Sequence, residues 1–176
     1  TICHIGICHS LSDIGLGRVR RLVRIITVAP GHAIIGEGDN AEYLFNVVSG
    51  ALRVFRLLED GRRQITGFLF PGDFLGLVFN DRYAYGADSI SPAQLCRFSR
   101  RDLVALLPEI PTLEHRLLRD ANNELTAAQD QILLLGRKTA KERVAYFLHA
   151  LAVRAGGSDH PAIAIDIPMT RADIAD

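Results

Sequence analysis

The sequence has 176 residues, of which 48% are hydrophobic and 23% charged, and its 20 basic residues balance 20 acidic ones. This composition is typical of a globular protein, and zero net charge gives no support for broad electrostatic attachment to nucleic acid or a membrane. Apolar runs such as residues 132–135 are far shorter than the ~20 residues that cross a bilayer. No signal-peptide pattern is present, and three cysteines cannot all pair. We therefore expect a cytoplasmic protein with reduced thiols and no membrane partner.

Residues 22–99 carry the pattern of β-strands. Short segments rich in β-branched and aromatic residues alternate there with turn sequences, and these segments are RIITV, YLFNVV, ALRVFRLL, RQITGFLF, YAYGADSI and AQLCRFS. Short strands with such breaks are typical of a sandwich or barrel. The sharpest local prediction is a hairpin turn at residues 59–62, because the Asp60-Gly61 pair tolerates positive φ angles. The strands on either side of it should pair.

After Arg100 the hydrophobic periodicity becomes helical. The segment RDLVALL predicts a short helix that ends at Pro108, and Pro111 suits the first position of a long helix running to about Leu135, before Gly136. The apolar side chains of this long helix could pack against the β region of its own chain. Its heptad spacing instead favours a coiled-coil seam between two subunits, formed by Leu118, Ala121, Leu125, Ala128, Ile132 and Leu135.

The last part of the sequence predicts further elements. A capping box, Thr139-x-x-Glu142, predicts a second helix that ends before Gly156. The alternating segment IAIDI predicts a strand, and the helix cap Thr170-x-x-Asp173 follows it. A group of basic residues near the second helix is either a solvated face or a set of phosphate contacts, and it comprises Arg137, Lys138, Lys141 and Arg143.

This order of elements resembles the CRP/FNR family of bacterial transcription regulators, specifically its FNR-like branch. The stretches that carry the resemblance are GDNAEYLFNVVSGALRVFRLLEDGRRQITGFLFPGDFLGL, LCRFSRRDL, QDQILLLGRKTAKERVAYFLHAL and MTRADIAD. It implies an α+β fold with an N-terminal segment (1–21), a cyclic-nucleotide-binding-like β-roll or double-stranded jelly-roll barrel (22–107), a dimerisation helix (108–136) and the start of a winged helix-turn-helix domain (137–176). It also implies a homodimer that binds DNA, with the recognition helix beyond Asp176. By the same analogy, the side of the β-roll near the hairpin turn contacts RNA polymerase, although its arginines, Arg62 and Arg63, are expected to be solvated.

The residues that would hold a cyclic nucleotide are not those of the nucleotide-binding family members. Those members bind the ribose with a Gly-Glu pair and the cyclic phosphate with an Arg followed by a small hydroxyl residue. Here Gly76-Leu77 stands at the first place and Tyr85-Gly86 at the second, while nearby Arg82 is followed by another tyrosine. We therefore expect no cyclic nucleotide.

A metal-dependent cupin oxygenase would also have a small β-barrel. Its site needs two or three histidines and a carboxylate, whereas His32 is the only histidine in the β region of the sequence. The sequence also contains no nucleophile-elbow, Walker or HExxH pattern. We therefore expect that the protein is not an enzyme.

The three cysteines are the remaining candidates for chemistry. Oxygen-sensing FNR-like regulators ligate a [4Fe-4S] cluster with three N-terminal cysteines and one in the β-roll, and the resemblance places Cys96 and Cys8 among these ligands. Cys3 precedes Cys8 by a spacing that differs from the family pattern, and a fourth ligand would lie before Thr1 or be a side chain such as His4. Thiolate sulfur suits iron, so the resemblance predicts cluster ligands at Cys3, Cys8 and Cys96. Alternatively, Cys96 is a small buried hydrophobic residue and the other two are terminal thiols.

The function that the sequence predicts is a homodimeric transcription regulator that responds to oxygen or redox state. Two alternatives stay open: a family member without a cluster that acts constitutively or through thiol oxidation, and a ligand-binding β-roll module without a DNA function. The sequence beyond Asp176 separates the last alternative from the others, because a recognition helix must lie there in a DNA-binding protein.

Overall fold

The structure is a computed structural model that describes residues 13–77, 80–156 and 167–175. It divides into two compact units, Thr1–Ala121 together with Asp176, and Asn122–Ala175. The described elements are, in chain order, α1 (Asp13–Leu22), β1 (Val23–Val28), β2 (Ala33–Ile35), β3 (Tyr43–Ser49), β4 (Leu52–Leu57), β5 (Arg63–Leu69), β6 (Phe74–Leu75), β7 (Gly86–Ser89), β8 (Ala93–Ser99), α2 (Arg100–Leu106), a 3₁₀ turn (Leu107–Glu109), α3 (Pro111–Arg137), α4 (Ala140–Arg154) and α5 (Arg171–Ala175).

The strands of the first unit form two antiparallel sheets of four strands each, with the orders β1-β8-β3-β6 and β2-β7-β4-β5. Apolar side chains from both sheets pack together, among them Phe45, Val47, Leu52 and Leu95. A second apolar cluster lies between the first sheet and the helices, and it contains Val19, Leu44, Cys96, Phe98, Leu103, Ile110 and Leu113. The first unit therefore has three layers: the second sheet, the first sheet and a helical layer.

The predicted hairpin turn is confirmed. Gly61 has φ of +81°, the Leu58 amide donates to the Arg62 carbonyl at 2.8 Å, and β4 pairs with β5. Glycine adopts this left-handed conformation without steric cost, which is why the Asp-Gly signal was reliable here. Strands β2 and β6 were not predicted from the sequence, because three and two residues are too few to show an alternating pattern.

The predicted helices are also present. Ser99 caps α2 by accepting from the Asp102 amide, and Thr139 and Glu142 form the expected capping box of α4. Helix α3 begins at Pro111, as predicted, but continues through Gly136 instead of ending before it. A single glycine costs a helix only about 1 kcal/mol, so its neighbours carry the helix past it. None of the helices in the described ranges is long and apolar enough to cross a membrane.

The face of the second sheet that points away from the first carries an ion-pair cluster. Arg53 donates from Nε to Oδ1 of Asp88 at 2.6 Å and from Nη2 to Oδ2 at 3.1 Å. Arg63 donates from Nη1 to the same Oδ2 at 3.1 Å and lies over the Phe55 ring. The expectation that Arg63 is solvated was therefore wrong, because the pairing of β4 with both β5 and β7 brings it to Asp88.

Replacing the shared carboxylate should destabilise the sandwich. The side chains of Arg53 and Asp88 are only 18% and 11% exposed, so Asp88→Ala removes the carboxylate that both guanidinium groups contact and should lower the free energy of unfolding by about 3 kcal/mol. Urea unfolding measures this loss. The control is Asp60→Ala, which removes the exposed partner of Arg62 and should have a much smaller effect. Equal losses in the two variants would show that the Asp88 cluster is not a stabilising feature.

Candidate functional sites

Strand β8 places Cys96 on the helix-covered face of the first sheet. Its side chain is 5% exposed and belongs to the apolar cluster that contains Phe98. The register sets Cys96 between Ile25 on β1 and Asn46 on β3. Asn46 is also buried and donates its side-chain amide to the carbonyl groups of residues 72 and 73. The thiol therefore lies outside the space between the two sheets.

Helix α1 packs against this same face. Helix α1 is followed directly by β1, and its Val19 packs in the cluster that contains Cys96. Ile25, which lies opposite Cys96, is 49% exposed, so this edge of the face is incompletely covered by the described residues. The predicted ligands Cys3 and Cys8, like His4, lie outside the described residues.

The surroundings of Cys96 test whether the described residues alone would hold iron. Within the described ranges, no three His, Cys, Asp or Glu side chains form a group that could bind a metal. A cluster at Cys96 would therefore need its other ligands from outside those ranges, where the predicted ligands Cys3 and Cys8 lie. The burial of Cys96 among apolar side chains also agrees with the alternative, a small core residue.

By the resemblance, the family's nucleotide-binding residues would lie in the connection between β6 and β7. In this chain two tyrosines of that connection form hydrogen bonds with backbone groups. The buried Tyr83 donates its hydroxyl proton to the Tyr43 carbonyl at 2.7 Å and accepts from the Tyr43 amide at 3.2 Å. Burial raises the pKa of Tyr83, so its hydroxyl stays protonated and remains a donor. The Tyr85 hydroxyl accepts from the Gly76 amide at 3.2 Å.

Arg82, which lies within this connection, has a structural partner. It donates from Nη1 to the Gly38 carbonyl at 2.7 Å, and its side chain is exposed. The sequence signalled the absence of the Arg-Ser pair, but it did not show which groups the two tyrosines would contact. Those contacts join residues distant in sequence, so no local pattern reports them.

The predicted seam of α3 is largely uncovered in the single chain. Leu125 is 59% exposed, Leu118, Ala128 and Ile132 are also exposed, and Ala121 is half-buried. The side chain of Leu135 lies outside the described residues. Leu133, which the heptad pattern did not include, is exposed as well and widens the apolar stripe. An apolar stripe of this length is characteristic of a surface that another chain covers.

The remaining predicted features lie in the second unit. The basic residues Arg137, Lys138, Lys141 and Arg143 are all exposed, and the Lys138 ammonium lies 4.7 Å from the centre of the Tyr146 ring. The cap of α5 is present, because the Thr170 amide donates to Asp173 at 2.9 Å and the Asp173 amide donates to the Thr170 hydroxyl at 3.2 Å. The predicted strand IAIDI lies outside the described residues except for Ile167.

Comparison with known proteins identifies the fold and the family. Residues 25–109 match the model of the cyclic nucleotide-binding domain. The chain is 37% identical over 172 residues to the transcriptional activatory protein AadR of Rhodopseudomonas palustris, which covers 98% of this chain and 72% of that protein. It is 37% identical over 175 residues to the nitrogen fixation regulation protein FixK of Bradyrhizobium diazoefficiens, with 97% and 72% covered. The solved structure of FixK2 from Bradyrhizobium japonicum matches with a TM-score of 0.78 at 36% identity, over 87% of this chain and 75% of that chain.

The two antiparallel sheets followed by a long helix are therefore a cyclic-nucleotide-binding β-sandwich of the kind found in bacterial transcription regulators. The chain belongs to the CRP/FNR family, and the resemblance predicted from the sequence is confirmed. Its relatives in that family are named as regulators of transcription, which gives the general class of function.

Proposed function

We propose that the chain is the sensing and dimerising part of a homodimeric, DNA-binding transcription regulator without catalytic activity. The observation that carries the proposal is the uncovered apolar stripe of α3, which contains Leu118, Leu125 and Ile132 at heptad spacing. Two such stripes bury each other in a parallel pair of helices. A parallel pair also relates two DNA-binding domains by a two-fold axis, so that their recognition helices meet successive major grooves about one turn apart.

The region after α3 supports the DNA-binding part of the proposal. Helix α4 begins with a capping box, and the cap at Thr170 and Asp173 starts α5, which corresponds to the first helix of a helix-turn-helix by resemblance. The recognition helix would follow α5. The test uses the protein extended by its natural sequence beyond Asp176 and selects binding sites from random duplex DNA. We expect a palindromic site with half-sites one turn apart, whereas the absence of any specific site would overturn the proposal.

We further propose that the signal is oxygen or redox state and that a [4Fe-4S] cluster detects it. The support is the position of Cys96 on the face against which Val19 of α1 packs, beside the incompletely covered Ile25. The ligands named are Cys3, Cys8 and Cys96, with a fourth ligand still to be identified. A bound cluster supplies iron–thiolate and iron–sulfide bonds that oxygen destroys. The role of the chain is then to hold the N-terminal segment against the first sheet while those bonds persist.

Replacing Cys96 tests the cluster. Anaerobic reconstitution of the protein with its natural N-terminus should give a brown species that contains iron and sulfide and loses its visible absorbance in air. Cys96→Ser should abolish iron binding, because a hydroxyl is a poor iron ligand of nearly the same volume. Iron content and the visible spectrum measure the result.

The control variant is Cys96→Ala, which keeps the position apolar. Both variants should lack the cluster if Cys96 is a ligand. If Cys96 is only a core residue, serine should cost more stability than alanine while neither changes iron content. A wild-type protein without iron, or full iron content in Cys96→Ser, would refute the role of Cys96 as a ligand.

The second candidate is a regulator of the same family without a cluster, which acts constitutively or through thiol oxidation. The observation that favours it is the apolar packing around Cys96, whose side chain is 5% exposed and belongs to the cluster that contains Phe98. DNA binding that is equal with and without oxygen, in a protein free of iron, would support constitutive action. DNA binding that changes with thiol oxidants alone would support the redox form.

A further inference from the structure

Strand β1 forms one edge of the first sheet. It pairs with β8 on one side, and among the described residues no backbone group forms a hydrogen bond with its other side, the outer edge. The strand is six residues long, and its Arg24, Ile25 and Thr27 side chains are exposed. The outer edge therefore presents N–H and C=O groups in the geometry that a further strand requires.

The side chains on one face of this edge carry an unbalanced positive charge. Arg24 lies directly opposite Arg97 on β8, and like charges in this arrangement destabilise a sheet. Both side chains are on the face that points toward the second sheet, because Leu95, two residues from Arg97, packs between the sheets. The guanidinium of Arg97 lies 4.5 Å from the centre of the Tyr43 ring. Neither arginine forms an ion pair with a carboxylate of the described residues, so the pair is complementary to a negative group.

The other face of the same edge is apolar. Ile25 lies opposite Cys96 on the helix-covered face and is 49% exposed. Successive residues of a strand point to opposite faces, so a strand that pairs with β1 places one residue beside Arg24 and the next beside Ile25. The segment that fits the outer edge therefore has an acidic residue next to an apolar one in its sequence.

We propose that the outer edge of β1 binds an extended, acidic and apolar segment of a partner protein by strand addition. Main-chain hydrogen bonds supply the affinity, and the carboxylate beside Arg24 together with the apolar side chain beside Ile25 supplies the specificity. A second copy of β1 would bring a further arginine instead of an acid, and residues 1–12 of this chain contain no Asp or Glu. The inference concerns the first unit alone and rests on neither DNA binding nor a cluster.

A synthetic peptide tests the docking edge. The peptide acetyl-Thr-Val-Asp-Val-Thr-Val-amide should bind the full chain saturably in a calorimetric titration. Its matched partner, with asparagine in place of aspartate, should bind roughly fivefold more weakly, because it lacks the charge that pairs with Arg24.

Substitution of Arg24 shows whether this preference arises at the outer edge. Arg24→Gln should bring the affinities of the two peptides to within about twofold of each other, since the guanidinium nearest to the aspartate is gone. The matched control is Arg119→Gln, which removes an exposed arginine on α3 and should keep the full preference. Absence of saturable binding, or a preference that persists in Arg24→Gln, would overturn the proposal.

Hydrogen exchange of the β1 amides separates strand addition from other occupants of the edge. Every second amide of an edge strand points outward, so alternate amides of Val23–Val28 should exchange fast in the free protein and roughly tenfold more slowly with the aspartate peptide bound. Protection already present without the peptide would show that the chain itself covers the edge, or that a second copy does if the protection grows with protein concentration. Either of these results, or exchange that the peptide leaves unchanged, would overturn the proposal.

Discussion

Leu125→Glu should convert the protein from a dimer to a monomer while the β-sandwich stays folded. Leu125 is 59% exposed in the single chain, so the folded monomer loses little when it is replaced. In the paired helices the change removes apolar burial worth about 2 kcal/mol from each subunit and places two carboxylates opposite each other. The dissociation constant should therefore rise by about three orders of magnitude.

Sedimentation measured over a range of concentrations tests this result. The matched control is Asn123→Glu, because Asn123 is exposed on the same helix but lies opposite the seam in the heptad. This control adds the same charge and should remain a dimer. Circular dichroism and melting check that the sandwich is intact in both variants. A Leu125→Glu protein that remains a dimer would show that the seam lies elsewhere and would remove the main support for the proposed homodimer.

Phe98→Ala should cause the largest loss of stability among single substitutions in the helix-covered cluster. Phe98 is 1% exposed and packs with residues from α1, β3, α2 and α3. Removing a buried aromatic ring typically lowers the free energy of unfolding by about 4 kcal/mol. Since small domains are stable by only about 5–15 kcal/mol, this loss is a large part of the total.

Urea unfolding of Phe98→Ala measures the loss, and Val104→Ala is the control. Val104 lies on α2 next to the buried Leu103 but is itself exposed, so its truncation should change the midpoint only slightly. Similar midpoints for the two variants would mean that the helical layer contributes little to the stability of the first unit.

The features that the sequence predicted correctly have short-range physical causes. The turn at Asp60 and Gly61 depends on glycine's conformational freedom, and the cap at Thr139 depends on two side chains three residues apart. The segment YAYGADSI was predicted as one strand, yet β7 begins only at Gly86. The hydroxyl groups of Tyr83 and Tyr85 form hydrogen bonds with backbone groups of Tyr43 and Gly76 instead. These contacts override the preference of the two tyrosines for a strand.

The features that were missed depend on contacts between distant parts of the chain. Arg63 follows a hairpin turn and was expected to be solvated, because its contact with Asp88 cannot be read from the sequence. That contact forms only when β4 pairs with β7. The neighbours of Cys96 likewise come from β1 and β3, so no local pattern indicated that Ile25 and Asn46 would flank it. Strand order is decided by the whole fold, and a single sequence contains little local information about it.

Successive side chains of β8 point to opposite faces of the first sheet, and this alternation limits which sequence changes the domain can accept during evolution. Leu95 and Cys96 are neighbours in the chain but belong to two separate apolar clusters, one on each face of the first sheet. A substitution at one of them leaves the other cluster's side chain in place, so the two faces of the sheet can change independently. An insertion or deletion of one residue would exchange the two sets of side chains and disrupt both clusters together. The strand can therefore tolerate changes of residue type far more readily than changes of length.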